Sequence, residues 1–505
     1  MTTRVPLATG IQARDAASIG VKDACIVNGY IDSRPDGRWV LTRPALTTQQ
    51  EYTGGTFGGV GCGYIYVGTA SPQKNHFWCV GGTFYRRPTS LYGTGGWISM
   101  TGSVTQTAQP FSFSEISPSY LSVFTHNDSY GYSLEVVPGA IVQVTDVNFP
   151  PNQTPALSLV HGTVYLDETI YVMTTTGVIY GSNLNDPTTW DPLNTISMSS
   201  DADGGIAIAK HLNYLVAFGR KSIEFFYDAG NPSGSSPLSV DQTLKMEIGC
   251  SFPLTISQVG AAQTLIWVGK GREGGQAVYM LEGTAPIKIS NSVIERALDS
   301  FPTYGNDTNI YGLFGFSFVW NGKIFYVVGP VNSSTYGNMY LAYDITEKEW
   351  YVWSFASGTG QPSICCEEFT LSDYTTAPAI FSALGSSPCF AFYLDDSSIN
   401  ELGYEVISFS QTDNIDGGTK KYKFLSSLEI VGDELPTGTT FASPTIQYSD
   451  DDFQTWSTAR NSDLTVDRSI LFQFGRFSKR AFRVGFNGGR FRLKELELNI
   501  TPGTV

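Results

Sequence analysis

Apolar and aromatic residues in this chain gather in short runs that stop at glycine or at a polar turn, a pattern of period two rather than the i, i+3, i+4 spacing of helices. Leu212 to Gly219, Thr264 to Gly269 and Phe318 to Gly329 are such runs, and each reads as the inner strand of a small sheet. Ser222 to Tyr227, Ala277 to Leu281 and Met339 to Tyr343 follow them as outer-strand candidates, the last continuing into Asp344 to Trp353, where a polar tip separates two aromatic segments. Between Val160 and Leu184, Thr169 to Thr174 and Val178 to Tyr180 flank a Thr-Thr-Gly turn and predict a hairpin, with Asn185 to Asn194 as a loop. Upstream, Gly61 to Thr69 and His76 to Tyr85 predict two more aromatic strands, and the glycine-rich text from Gly54 to Gly63 a connection. Runs recurring at roughly fifty residues match the length of a propeller blade. The expectation is an all-β fold: a β-propeller of about six or seven blades over residues 55–403, preceded by an extended segment, 1–54, that packs on the other domains.

From residue 404 the rhythm lengthens. Lys423 to Val431, Thr445 to Ser449, Ile470 to Phe474 and Ala481 to Phe486 alternate as strands with one buried face, predicting a C-terminal β-sandwich or platform domain over 404–505. Phe482, Val484 and Phe486 share one face, Asn487-Gly488-Gly489 offers a turn, and Phe491 with Leu493 resumes the pattern as a return strand. The apolar phase then shifts to Leu496, Leu498 and Ile500, which requires a bulge near Lys494 or Glu495.

Composition agrees with many short strands. Aromatic residues make up 13% of the 505 residues, with 53 glycines and 25 prolines, while charged residues are only 15%, against about a quarter in ordinary domains. The net charge of −15 argues against general affinity for nucleic acid or anionic membrane. No apolar stretch approaches the roughly 18 residues that span a bilayer, and Met1 to Gly10 lacks the apolar core of a secretion signal. The expectation is a soluble protein, with no membrane insertion, made in a cytoplasm.

Chemistry-bearing motifs are scarce. The four histidines (His76, His126, His161, His211) fall at no metal-binding spacing, there is no GxSxG elbow and no GxxxxGK[ST] loop, and no catalytic residue, metal or cofactor is expected. Ser449 to Trp456 resembles the sialidase Asp box, SxDxGxTW, with Phe453 at the glycine position. That box stabilises a hairpin through aspartates that accept backbone amides, so it carries structure rather than catalysis. The stretch Arg476 to Lys494 holds seven cations (Arg476, Lys479, Arg480, Arg483, Arg490, Arg492, Lys494) and no acid. Period-two alternation buries its rings and turns the cations to solvent, making Arg480, Arg483, Arg490, Arg492 and Lys494 candidates for contact with an acidic neighbouring subunit rather than with DNA.

Two stretches carry a family likeness. In the first, Asn28-Gly29-Tyr30, Asp36-Gly37 and Leu41 to Leu46, with Ala45 where the family has glycine, resemble the opening of the packaged-DNA stabilisation proteins, the tail hub or nozzle proteins of short-tailed double-stranded DNA bacteriophages. In the second, Leu215 to Gly219, a Gly-Arg turn, Ser222-Ile223-Glu224-Phe225-Phe226-Tyr227 and the small-residue loop from Asp228 to Pro237 repeat that family's order of strand, turn, strand and loop. The resemblance implies a virion tail protein, assembled in the host cytoplasm as a ring with itself, six copies being expected. It also implies partners: the portal and adaptor proteins above, a tail needle, tailspike or fibre proteins below, and genomic double-stranded DNA passing through without sequence-specific binding. The competing reading is a glycan-binding or sialidase-like tail propeller that acts in host adhesion.

The seven cysteines (Cys25, Cys62, Cys79, Cys250, Cys365, Cys366, Cys389) are scattered, odd in number and without a CxxC pair, which is not a disulfide framework. All seven are expected to be reduced. Intact-mass analysis after alkylation under non-reducing conditions should find every thiol modified, and a stoichiometric intramolecular disulfide would contradict this.

Overall fold

The computed structural model describes residues 2–11, 24–52, 66–67, 74–80, 82–88, 97–104, 111–117, 120–125, 131–135, 140–201, 203–232, 234–259, 264–271, 274–300, 312–330, 339–355, 361–370, 376–383, 389–398, 400–401, 403–434, 443–466, 468–485 and 491–503. Strands dominate, and the one α-helix among the described residues, Ser292–Ser300, is capped by the Asn291 carboxamide and buries Val293, Ile294 and Leu298.

Among the described residues, seven antiparallel meanders follow in chain order. The first comprises Tyr66–Val67, Lys74–Val80, Thr83–Pro88 and Ile98–Ser99; the second Phe111–Ser117, Tyr120–Thr125, Gly131–Glu135 and Ala140–Gln143. The third runs through Val164–Leu166, Thr169–Met173, Val178–Asn183 and Asp186–Ser197, and the fourth through Gly205–His211, Tyr214–Gly219, Ile223–Asp228 and Leu238–Val240. In the fifth, Ile248–Cys250 and Ser257–Val259 both pair with Thr264–Gly271, followed by Gln276–Glu282 and Ala285–Lys288. The sixth is Leu313–Trp320, Lys323–Pro330, Met339–Asp344 and Glu349–Ser354. The seventh is Gln361–Thr370, Thr376–Ala383 and Cys389–Asp395, completed by Ala45–Tyr52 from the beginning of the chain. This is the radial series that a propeller requires.

Two readings of the sequence are corrected. Tyr214–Gly219 and Thr264–Gly271 are second strands, not inner ones, and Ile223–Asp228, Gln276–Glu282 and Met339–Asp344 are third strands. A second strand has a neighbour on each edge and a sheet against each face, so it has the most continuous apolar text: Leu215, Val216, Ala217 and Phe218 are all buried. Residues 185–194, expected as a loop, lie almost wholly in the fourth strand of their meander. An outermost strand tolerates Pro187 and Pro192 because its free edge needs no ladder amide, and Trp190 anchors it against Phe149 at 5.0 Å. The expected connection at 54–63 lies outside the described residues.

Successive meanders are joined by a relay of side chains from first strands or, for Thr163, from the residue just before one. Thr163 Oγ1 donates to Phe113 O at 3.2 Å, Lys210 Nζ to Tyr165 O at 3.1 Å, Gln258 Nε2 to Lys210 O at 2.6 Å and Ser317 Oγ to Gln258 O at 2.7 Å. Each link runs back to the preceding sheet and adds a polar tie to the apolar packing between meanders.

A sandwich is built from both ends of the chain. One sheet holds Gly29–Arg34, Gly37–Thr42, Thr2–Pro6, Arg492–Pro502, Lys423–Gly432, Ile470–Phe472 and Arg476–Phe477; the facing strands are Cys25–Val27, Phe409–Gln411, Ala481–Gly485, Thr445–Ser449 and Arg460–Asn461. Leu425, Leu428, Leu493, Leu496 and Leu498 pack with Phe482, Val484 and Ile446 in the core between them. The return strand expected after Ala481–Gly485 is therefore not its hairpin partner: Arg492–Pro502 lies in the opposite sheet, on Lys423–Gly432. Period two was legible, but both pairings bury the same residues. The bulge is where the phase shift places it, since Val431 pairs with Glu495 and Gly432 with Leu493, leaving Lys494 unmatched.

Propeller and sandwich share backbone ladders and a buried polar node. Cys25–Val27 continues the sixth meander's sheet beyond Glu349–Ser354 into the sandwich. Immediately after it, Asn28 takes a left-handed conformation (φ 54°), which asparagine tolerates, and Gly29 follows because a Cβ there would meet Leu41 O at 2.7 Å. Asn28 Oδ1 accepts from Ser354 N (2.7 Å) and Arg43 Nε (3.0 Å), and Nδ2 donates to Ser354 Oγ (2.8 Å) and Ile407 O (2.7 Å). Arg43 Nη1 reaches Glu401 Oε1 at 2.6 Å, and the same oxygen accepts Leu46 N at 3.0 Å; both charged side chains are buried. Nearby, Lys323 Nζ and Ser33 hold Glu347 at 2.6 Å and 2.7 Å, joining the hairpin of residues 29–42 to the sixth meander. Burial opposes ionisation of Glu347, but those bonds outweigh it and hold the carboxyl below its ordinary range.

Removing one member of a buried ion pair strands the other, at about 3–5 kcal/mol, whereas an exposed pair contributes about 0–1 kcal/mol. Glu401→Ala should therefore lower the thermal midpoint by several degrees. Glu429→Ala, which breaks the surface pair with Arg468, should leave it nearly unchanged. Equal midpoints for the two variants would contradict the node.

Candidate subunit-contact site

The basic stretch divides once folded. Arg480 shares the parity of Phe482 and Val484 and follows them inward, where Nε and Nη2 each reach an Asp450 oxygen at 2.7 Å and Nη1 donates to Phe474 O at 2.8 Å. Its guanidinium lies 4.1 Å from the Tyr448 ring centre and 4.7 Å from that of Phe477. Arg483 is held between Phe409 (4.7 Å) and Trp456 (4.1 Å) and donates to Gln411 Oε1. The solvent-facing expectation is thus corrected for both. Stacking of a weakly hydrated guanidinium on aromatic faces is favourable enough to draw it inside. Lys494, the bulge residue, covers Trp39 at 5.6 Å and approaches Asp36 at 3.4 Å. Arg492 is exposed, 3.5 Å from Asp433. Arg490 lies outside the described residues.

Arg480 and Arg483 support the box-like turn. Asp451 Oδ1 accepts Gln454 N at 3.1 Å and Thr455 N at 2.9 Å, and Asp451 also receives the hydroxyls of Thr455 and Ser449. Ser449 Oγ accepts Phe453 N at 3.0 Å. Asp452 and Phe453 both have positive φ (65° and 66°), the strained corner where the box's usual glycine would sit. Lys479 pairs with Asp452 at 3.1 Å. The aspartates are thus occupied in holding a turn.

Of the basic stretch, Arg476, Lys479 and Arg492 remain at the surface among the described residues. Arg476 stands opposite Phe424 in the ladder and 5.0 Å from the ring centre of Tyr422, beside Lys420 and Lys421. Sequence reasoning passed over this neighbourhood, although Tyr422 and Phe424 fall in the phase opposite to the buried Lys423 and Leu425, a signal of outward rings. Glu224, from the second family stretch, is buried and accepts Ser199 N at 2.8 Å and Ser200 N at 2.5 Å, a structural role. His211 is buried against Gly283 O at 2.6 Å. Among the described residues no three His, Cys, Asp or Glu side chains are gathered as for a metal ion.

Four-stranded meanders following one another along the chain define a β-propeller protein. A sequence profile for phage stabilisation proteins, described as bacteriophage P22 Gp10, β-propeller, matches residues 50–309, just over half the chain. The chain belongs to that family, and it is a bacteriophage structural protein with a propeller fold. No curated protein matches its sequence. Solved structures similar to it include a chain of the mitotic checkpoint complex (TM-score 0.39, 8% identity, 70% of this chain and 94% of that one). Another is BamB from Moraxella catarrhalis (TM-score 0.35, 12% identity, 79% of this chain and 100% of that one).

The Thr455 hydroxyl and amide, with Ser449, hold the Asp451 carboxyl down at about 2, from an ordinary 3.8. A lowered folded-state value means that the turn's stabilisation is complete above the ordinary value and fades as pH falls towards 2. Asp451→Ala should therefore unfold at a lower temperature than the parent at pH 7, with the gap narrowing below pH ~4. Thermal scans across that range check it, and a constant gap would contradict the assignment.

Proposed function

We propose that this protein is a tail hub or nozzle subunit: it docks as a ring below the portal and adaptor proteins, closes the DNA channel after packaging and anchors the distal needle, spike or fibre proteins. The family match over residues 50–309 carries the reading. The net charge of −15 supports it, because repeated acidic chains around a channel bind duplex weakly and let it leave without salt-dependent friction. On this reading the protein acts without catalysis, in the tail of the virion, after assembly in the host cytoplasm. Ring contacts draw on the cations that the fold leaves outside, Arg476, Lys479 and Arg492, with Arg490 as a further candidate. Head-to-tail contacts whose rotation divides a full turn close on themselves. A preformed connector supplies the effective concentration that lets individually weak contacts hold.

Particles made without the protein should package DNA and then lose it, which nuclease protection of the genome measures. Full, infectious particles lacking the protein would overturn the hub reading and leave host adhesion in its place.

A further inference from the structure

Three exposed rings lie together on one sheet of the sandwich. Tyr422 is 50% exposed, Phe424 50% and Phe472 58%. Phe424 lies opposite Arg476, and Phe472 opposite Ser427, on the outer side of one sheet, where Ile470–Phe472 and Arg476–Phe477 form its free edge. Lys420 and Lys421 adjoin the rings and are exposed, with no ion pair among the described residues. Grouped exposed aromatics beside an arginine are the composition of an interface core, with the lysines at its polar rim.

The same chain carries a surface of opposite character. Turns between first and second strands, and between third and fourth, lie on one side of a meander series, and hydrogen bonds show those of the third to fifth meanders to be neighbours. Asn185 N donates to Glu168 O at 2.7 Å, Lys210 Nζ to Tyr165 O at 3.1 Å, and His211 Nε2 meets Gly283 O at 2.6 Å. This rim presents Leu184 at 68% and Leu212 at 47% exposure, among the exposed carboxylates Asp167, Glu168 and Glu282. In the sixth meander the corresponding turns are covered by the sandwich, since Asn321 Nδ2 reaches Tyr30 Oη at 3.3 Å and Glu347 Oε2 accepts the Ser33 hydroxyl at 2.7 Å. Among the described residues, the sandwich strands cover this side of the propeller at the sixth meander, and Leu184 and Leu212 remain exposed at the third and fourth.

We infer that the Tyr422, Phe424, Phe472 and Arg476 face of one copy docks on the acidic, leucine-bearing rim of a second copy. Aromatic rings meet Leu184 and Leu212, and Lys420, Lys421 and Arg476 meet Asp167, Glu168 and Glu282. Opposite charge on two different surfaces of one chain makes the contact heterologous, the kind that propagates head to tail. The inference rests on the self-association proposed above and names the surfaces that make it.

The test completes connector particles lacking this protein with an equal mixture of unlabelled and 15N-labelled full-length chain, then couples lysines to carboxylates with a carbodiimide. Mixed-isotope cross-links from Lys420 or Lys421 to Asp167, Glu168 or Glu282 are expected. In parallel, the surface double variant Phe424→Ser with Phe472→Ser should keep the parental thermal midpoint yet lose at least tenfold in occupancy of the connector. Cross-links from these lysines to a different protein would overturn the docking and leave the ring standing, as would mixed-isotope links confined to other parts of the chain. Absence of every mixed-isotope cross-link would overturn ring and docking together.

Discussion

One left-handed asparagine organises this molecule. Asn28 uses both oxygen lone pairs and both amide hydrogens of its carboxamide, and its backbone N–H donates to Val352 O while its carbonyl accepts Arg43 N. It thereby fixes where the chain leaves the sixth meander's sheet and turns into the sandwich hairpin. Arg43 then returns from that hairpin into the same buried node and meets Glu401, from the stretch that leads out of the seventh meander. In a low dielectric such a network is stable only when every member is satisfied. Three segments far apart in sequence therefore have one mutual arrangement, and the strand after the node, Ala45–Tyr52, is delivered in register to complete the seventh meander.

On the proposed reading the subunit transmits position between a connector and distal tail parts, so its two halves must not swing. The shared ladder through Cys25–Val27 and the Lys323, Glu347 and Ser33 joint oppose such motion, while the relay from Thr163 to Ser317 ties the propeller meanders to one another. Each link is small, and together they add to the apolar packing. On the proposed reading, rigidity and charge act together: one fixes the wall of a conduit, and the net charge of −15 keeps duplex from adhering to it.

Much of this was legible beforehand, for local reasons. Alternation, glycine stops and aromatic runs are short-range signals, so the strands, the hairpin at Thr169–Asn183 and the bulge at Lys494 were readable from neighbouring residues. Pairing between distant strands was not. Nothing local separates a hairpin between Ala481–Gly485 and Arg492–Pro502 from two strands in opposite sheets, because the same residues are buried either way. The strand at Asp186–Ser197 was masked by prolines whose tolerance depends on its being outermost. The family stretch at Asn28 to Leu46 was visible as text, while its physical meaning needed Glu401 and Ser354, over three hundred residues away. Arg480 was misread although its parity with Phe482 pointed inward.

The central claim is that propeller and sandwich are held as one cooperative unit by the node at Asn28, Arg43 and Glu401. Native-state hydrogen exchange tests it most directly, because it reports the free energy at which each amide opens. The amides of Asn28, Arg43, Leu46 and Ser354 should exchange as slowly as those of Val327 in the sixth meander and Leu428 in the sandwich, all through the same global opening. Node amides that exchange orders of magnitude faster, with Val327 and Leu428 opening independently, would contradict it.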